Sequence, residues 1–176
     1  MSERQQQLLD TIARAFRGVE LGDGVSLHET VLIDLYEGPE ARQEARLLDE
    51  KHDWRKLVGD PALVQVTGSP LSFYDATGLR FHLPAYLSLA VTDFDHEDAA
   101  DVLGGLMFTL TNLCEYNLER LSILDSPQRQ CVKDVLVYLR DEFYLRDEYE
   151  YELESLELDQ AIGGYWNSEP TVERPA

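Results

Sequence analysis

A chain of 176 residues, of which 44% are hydrophobic and 28% charged, has the composition of a globular protein that can bury one core. Its 34 acidic residues outnumber its 15 basic residues, so the formal net charge is −19 at pH 7. Such a surface repels phosphate backbones and anionic lipids, and no apolar run approaches the roughly 20 residues of a membrane span. We therefore expect no binding to nucleic acid or to a membrane.

Apolar spacing and end signals predict three helices in the first third of the chain. Apolar residues three and four apart indicate a helix over residues 3–17. The segment Ser26-Leu27-His28-Glu29 has the spacing of a capping box and predicts a short helix that ends near Tyr36. Gly38-Pro39 breaks that helix and starts a third one. The third helix continues with helical spacing through a highly charged stretch to Trp54.

The middle of the chain is predicted to form a β-hairpin. Apolar and polar residues alternate over 71–74 and again over 79–83, and this period of two is typical of strands. Between them, Asp75-Ala76-Thr77-Gly78 suits a turn, because Asp accepts from backbone N–H groups and Gly adopts a positive φ. Pro84 would then start a short buried helix over 85–91.

The C-terminal half is predicted to be helical. Residues 96–116 have a broad apolar face, so we expect this helix at the centre of the core, with Cys114 on its buried side. Ser126-Pro127 predicts another helix start, since Ser can cap a helix and Pro fits its first turn. A helical pattern over 145–156 continues toward Gly163-Gly164.

These elements predict an α+β fold that is mainly α, with five to seven helices packed around one small antiparallel β-hairpin. We expect a single globular domain over residues 1–166 and a disordered tail over 167–176. The polar first residues lack the pattern of a secretory signal, and Cys114 and Cys131 have no C-x-x-C spacing. The sequence therefore predicts a cytoplasmic protein with two reduced, mostly buried thiols.

Polar clusters around the histidines do not match a metal or catalytic motif. His28 and Asp34 are six residues apart, which places them about 120° apart around a helix. Glu29 already has a role in the capping box. The four histidines have no cysteine or second histidine at metal-ligand spacing, and the common nucleotide-binding and hydrolase motifs are absent. We predict no catalytic residue, no metal and no cofactor, and we favour a function other than catalysis.

The segment 141–159 is the most unusual feature of the sequence. It holds nine acidic residues against one basic residue, Arg146, and three tyrosines lie among them. Like charges three and four residues apart destabilise a helix, so leucines and tyrosines must anchor it or a partner must bind it. It is therefore either a solvated acidic face or a docking surface for a basic protein. The candidate partner-binding residues are Glu148, Tyr149, Glu150, Tyr151, Glu152 and Glu154.

The run over residues 72–87 reads S-F-Y-D-A-T-G-L-R-F-H-L-P-A-Y-L. It resembles a bacterial family of domains of unknown function whose pattern is S-F-x-D-x-x-G-x-R-F-x-L-P-A-Y. Three further segments agree with that family, at 15–29, 124–132 and 161–166. Ala76 and His82 are departures, because the family tends to have Pro and Tyr there. The resemblance implies a compact cytoplasmic bacterial domain and supplies no catalytic residues.

The distribution of charge favours a binding function. Residues 1–88 carry 9 basic and 14 acidic side chains, whereas residues 89–176 carry 6 and 20. We predict an acidic domain that binds a basic protein partner, in the narrower form an inhibitor or immunity protein for a basic toxin. The alternative is a small-ligand receptor or enzyme with a groove beside Arg80, His82 and Tyr86. A deep pocket with convergent polar groups would favour the alternative, and a flat acidic face would favour protein binding.

Overall fold

A computed structural model describes residues 1–66, 70–94, 97–144 and 152–168, with the backbone alone for 152–155. These residues are helical and contain no β-strand, so the predicted α+β class with a hairpin is wrong. The α-helices are α1 (Glu3–Ala15), α2 (Leu27–Asp34), α3 (Pro39–Leu48), α4 (Ala62–Gln65), α5 (Pro70–Phe73), α6 (Ala76–Asp93), α7 (Ala100–Thr111), α8 (Glu115–Leu121), α9 (Ser126–Leu139) and α10 (Glu152–Gly163). Short 3₁₀-helices cover Trp54–Leu57, Glu97–Ala99 and Tyr165–Asn167, and Arg140–Tyr144 is a π-helix.

The segment predicted as a hairpin instead forms most of α5 and the first part of α6, which is the longest of these helices. Asp75 and Gly78 do not form a turn: Asp75 caps α6, and its Oδ1 accepts from the Gly78 N–H at 2.7 Å. Gly78 is the third helical residue and does not have a positive φ. The apolar alternation around Phe81 reflects a helix that is buried on all sides, where polar His82 is as buried as its neighbours.

Helix α6 lies at the centre of the core. It packs against α1, α8, α9 and the 3₁₀-helix Trp54–Leu57. Pro84 lies inside α6, and the Ser88 hydroxyl donates to the Pro84 carbonyl at 2.7 Å. The predicted helix over 85–91 is thus the second half of α6. The sequence predicts that residues 96–116 form the central helix of the core. The central helix is α6 instead.

The first two helices agree with the sequence prediction, and the third is shorter than expected. At the start of α2, the Glu29 carboxylate accepts from the Ser26 N–H at 3.2 Å, as the capping box predicts. Helix α3 ends at Leu48, and Trp54 lies in a separate 3₁₀-helix with its ring buried. The Trp54 Nε1–H donates to the Phe16 carbonyl at 2.9 Å, which ties this 3₁₀-helix to the end of α1.

The long helix predicted over 96–116 is broken into two. Helix α7 ends at Thr111, and α8 starts after Cys114, which is exposed rather than buried. Cys131 is buried as predicted. Helix α9 begins one residue earlier than the Ser-Pro signal suggests, because Asp125 is its N-cap and accepts from the Gln128 N–H at 2.9 Å.

The last described 3₁₀-helix contains a buried tryptophan. Trp166 packs into the core, and its Nε1–H donates to the Leu110 carbonyl at 2.9 Å. In the predicted tail, Asn167 accepts from Lys133, whereas residues 169–176 lie outside the described residues. Within the described ranges, no helix is both long enough and apolar enough to cross a membrane.

Candidate functional site

Most of the acidic docking residues predicted from the sequence fall in a part of the chain that the structure leaves undescribed. Glu148, Tyr149, Glu150 and Tyr151 lie outside the described residues. Glu152 and Glu154 belong to the first turn of α10, where the backbone alone is described. The described residues that precede and follow this segment form its surroundings.

Two arginines hold the carboxylates at the base of the acidic segment. The Arg140 guanidinium lies 2.9 Å from Asp141 and 3.3 Å from Asp159, which connects the π-helix to α10. Arg4 of α1 lies 2.8 Å from Asp141 and 3.1 Å from Glu142. Burial acts to raise the pKa of Asp141, but hydrogen bonds from Arg4 and Arg140 outweigh it and lower that pKa. Asp141 therefore stays ionised at neutral pH.

Two other arginines of the C-terminal half are buried and bind backbone carbonyls. Arg120 donates to the carbonyls of Leu71 at 2.5 Å and Tyr74 at 3.1 Å, and burial lowers its pKa. Arg129 donates to the Tyr165 carbonyl at 2.6 Å and stacks over that ring, 4.1 Å from its centre. Each side chain is 5% exposed. Two of the six basic residues in 89–176 are therefore unavailable for direct contact with a partner.

Helices α7 and α8 each expose at least one carboxylate and an aromatic ring. Asp101, Glu115 and Glu119 are exposed, and the two glutamates are one turn apart on α8. Phe108 is 57% exposed and Tyr116 is 51% exposed. The Tyr116 hydroxyl donates to the Ser72 carbonyl at 2.8 Å, so the ring is held in one position. Rigid aromatic rings beside carboxylates are typical of protein-binding surfaces.

The residues proposed for the alternative groove lie in or beside the core. His82 and Tyr86 have no exposed surface. The His82 ring stacks on Tyr74 with centroids 4.3 Å apart, and the hydroxyls of Tyr74 and Tyr86 are 3.2 Å apart. Arg80 is partly exposed, and its Nε is buried without a hydrogen-bond partner. Because the strand face that would have carried this groove is absent, these residues do not open onto solvent together.

Burial keeps the His82 imidazole neutral, and a backbone carbonyl accepts the hydrogen of one ring nitrogen. Its Nδ1–H donates to the Gly78 carbonyl at 2.8 Å, one turn back along α6. Its Nε2 has no hydrogen-bond partner. Burial lowers the pKa of His82 to about 4 and raises the pKa of Tyr86. Neither side chain is poised to exchange a proton at neutral pH.

The structure pairs His28 with a residue that sequence spacing did not indicate. His28 Nδ1 lies 2.5 Å from Asp49 Oδ1, and the His28 backbone N–H donates to Asp49 Oδ2 at 2.9 Å. Asp34 is exposed at the other end of α2 and takes no part. Glu29 instead binds Arg42 at 3.0 Å. The pair joins the start of α2 to the end of α3, and no three potential metal ligands cluster among the described residues.

The sequence matches Family of unknown function (DUF6714) over residues 4–169. The chain belongs to this family. The match spans nearly all of the chain, including the motif at 72–87 and the acidic segment at 141–159, and it confirms the resemblance seen in the sequence. No curated protein and no solved structure matches the chain. The family places the fold in a set of related proteins without assigning them an activity.

Proposed function

We propose that this protein is a binding domain that captures a basic protein partner through the acidic surface of its C-terminal half. The burial of Arg120 and Arg129 carries the proposal, because it removes two cationic groups of residues 89–176 from direct contact with a partner. Carboxylates steer a basic partner during diffusion and raise the association rate. The exposed rings of Phe108 and Tyr116 supply contact area once the partner has arrived.

In the narrower form of this proposal, the protein is a cytoplasmic inhibitor or immunity protein that covers the basic face of a toxin. An acidic surface suits that role, since a cationic active site is blocked most simply by opposite charge. The thiols of Cys114 and Cys131 are free, and Cys114 is exposed. An exposed free thiol is typical of a reducing compartment, which supports the cytoplasm as the place of action.

The partner is identified by cross-linking the full chain in an extract of its source organism with a carbodiimide. This reagent joins carboxylates directly to lysine amines, so it captures acidic-to-basic contacts. We expect mass spectrometry to find links between carboxylates of residues 89–176 and lysines of one basic protein. The purified partner then serves as the probe for kinetic measurements.

Charge reversal tests where the partner docks. The first variant carries Glu148→Lys, Glu150→Lys, Glu152→Lys and Glu154→Lys. The control carries Asp34→Lys, Glu37→Lys, Glu40→Lys and Glu44→Lys, four exposed residues of the N-terminal half, with the same change in net charge.

We expect the first variant to associate about tenfold or more slowly, with a much smaller effect in the control. The rate for the unmodified protein should fall as the ionic strength rises. An equal fall of the association rate in both variants would contradict a localised acidic docking surface. An association rate that does not change with ionic strength would contradict it as well.

A further inference from the structure

A cavity of about 330 Å³ opens between the end of α1 and the 3₁₀-helix Trp54–Leu57. It is lined by residues 13, 14, 17–19 and 52–55. Its volume is at the lower end of the range for small-molecule sites. The cavity lies in the N-terminal half of the chain and shares no residue with the acidic surface proposed for partner binding.

The wall of this cavity carries two arginines without a carboxylate partner. The Arg14 guanidinium donates to the Thr11 hydroxyl at 3.1 Å, and the Arg17 side chain has no polar partner among the described residues. The backbone bond from Arg17 N–H to the Arg14 carbonyl, at 3.4 Å, continues the helical turn. Both residues line the cavity, Arg14 from the last turn of α1 and Arg17 from the turn that follows it.

Arg14 and Arg17 have no carboxylate partner among the described residues, although the chain has 34 acidic residues. Elsewhere in the described ranges, five arginines bind carboxylates: Arg4, Arg42, Arg46, Arg55 and Arg140. Arg120 and Arg129 bind backbone carbonyls instead, whereas Arg14 and Arg17 are exposed and line the cavity. Their positive charge is available to a ligand.

The remaining wall does not cancel this charge. Asp53 accepts from Arg55 through both carboxylate oxygens, at 2.7 and 2.9 Å, so these two residues neutralise each other. His52 is largely exposed, 3.7 Å from Glu20. At the mouth, Gly18 has φ +73°, and the space that a side chain would occupy there is empty. The opening beside Arg17 is thus unobstructed.

We propose that this cavity binds a small dianionic molecule, with its oxyanion held between Arg14 and Arg17. Two uncompensated guanidinium groups are neutralised by two negative charges, which a phosphate monoester or a dicarboxylate carries. The planar guanidinium donates two parallel N–H groups to oxygen pairs of this kind. The partly apolar floor formed by Val19 and the ring of Trp54 accommodates the organic part of the molecule.

The two tryptophans allow a direct test by NMR of ¹⁵N-labelled full-length protein. Trp54 lines the cavity, whereas Trp166 is buried elsewhere, so its indole signal is an internal control. Inorganic phosphate and succinate are titrated separately, and sodium chloride at matched ionic strength is the blank. We expect saturable shifts of the Gly18, Val19 and Trp54 indole signals, with the Trp166 indole signal unchanged.

A double variant, Arg14→Gln with Arg17→Gln, removes both charges and keeps similar side-chain volume. We expect it to bind the dianion about tenfold or more weakly. The control is Arg42→Gln with Lys133→Gln, which changes the net charge equally outside the cavity and should bind normally. Thermal unfolding confirms that both variants remain folded.

The titrations distinguish a phosphate site, a dicarboxylate site and the absence of a specific site. Saturation by phosphate alone identifies a phosphate site, and saturation by succinate alone identifies a dicarboxylate site. Shifts that match the chloride blank, that spread to the Trp166 indole, or that persist unchanged in the Arg14→Gln, Arg17→Gln variant overturn the proposal.

Discussion

At the scale of single residues, the environment of His82 makes stability depend on pH. Its ring has no exposed surface, stacks on Tyr74 and donates to the Gly78 carbonyl. Burial is the dominant influence and lowers its pKa to about 4, although the charges of Asp49 and Asp75 act in the opposite direction. An unfolded chain returns this histidine to its ordinary pKa of about 6.5.

The sign of the pH effect follows from these two values. Between pH 6.5 and 4 the unfolded chain takes up a proton at His82 that the folded protein does not. The stabilising contribution is therefore complete above pH 6.5 and is lost as the pH falls toward 4. At pH 4.5 we expect a loss of about 2–3 kcal/mol from this residue.

Urea unfolding at pH 7 and at pH 4.5 measures this loss when the protein is compared with a His82→Phe variant. Phe keeps an aromatic ring in the stack but does not titrate, so the variant should lose about 2–3 kcal/mol less between the two pH values. Carboxylates such as Glu50 titrate in both proteins and cancel in the comparison. The same loss of stability in both proteins would show that His82 is not the source.

Sequence reasoning placed His82 and Arg80 on a polar strand face. The residue types were compatible with that placement, because polar residues alternate with Leu79, Phe81 and Leu83. What the alternation could not show is that the His82 Nδ1–H is satisfied by a backbone carbonyl one helical turn away. That hydrogen bond offsets part of the cost of burying the ring, while Nε2 is buried without a partner.

At the scale of secondary-structure elements, the start of α6 is fastened to the loop before α2. Asp75 Oδ1 accepts from the N–H groups of Val25 at 2.9 Å and Gly78 at 2.7 Å. A Cβ atom built on Gly24 would lie 2.5 Å from the Gly78 nitrogen, and one on Gly78 would overlap the Val25 carbonyl. The motif around 75–78 is thus a close backbone crossing that requires glycine on both sides.

Alanine substitutions at two helical glycines should have opposite effects on stability, because only Gly78 lies at this crossing. Gly78→Ala should destabilise the protein by about 3 kcal/mol, since the added methyl group forces the backbones apart. Gly104→Ala, at an exposed position of α7 with open space around it, should stabilise the protein by up to about 1 kcal/mol through helix propensity. Chemical denaturation of both variants measures the two free energies of unfolding. A Gly78→Ala variant as stable as the unmodified protein would contradict the crossing.

At the scale of the whole molecule, the net charge of −19 opposes the compact state. Ion pairs such as Arg4 with Asp141 and Arg140 with Asp159 offset part of the repulsion. Arg120 and Arg129 are buried against backbone carbonyls and form no ion pair with a described carboxylate. Repulsion between exposed carboxylates acts over the screening length, which shortens from about 30 Å at 0.01 M salt to about 8 Å at 0.15 M.

We therefore expect the melting temperature to rise when sodium chloride is increased from 0.01 to 0.15 M. A gain of about 1 kcal/mol corresponds to about 2–4 °C for a chain of this length. Differential scanning calorimetry measures the change. The Asp34→Lys, Glu37→Lys, Glu40→Lys, Glu44→Lys variant carries less net charge and should show a smaller rise. A melting temperature that falls with salt would mean that attractive ion pairs outweigh the repulsion.

The sequence by itself determined the features that depend on neighbours along the chain. The Ser26 to Glu29 capping box, the Pro39 helix start and the amphipathic spacing of α1 all act within a few residues, so they were predicted close to their observed positions. The excess of acid over base in residues 89–176 is likewise a property of composition. The resemblance to a family of unknown function was also visible in the sequence, and the family match over residues 4–169 confirms it.

The tertiary structure alone decided which helices and which charged side chains are buried in the core. Periodicity distinguishes a helix from a strand when one face meets water, but α6 is surrounded on all sides and has no polar face to set a period. Arg120 and Arg129 are charged residues in the sequence and become carbonyl-binding core residues because distant backbone segments need donors. The cavity beside Arg14 and Arg17 forms where the end of α1 meets residues almost forty positions away, and that meeting is set by packing of the whole core.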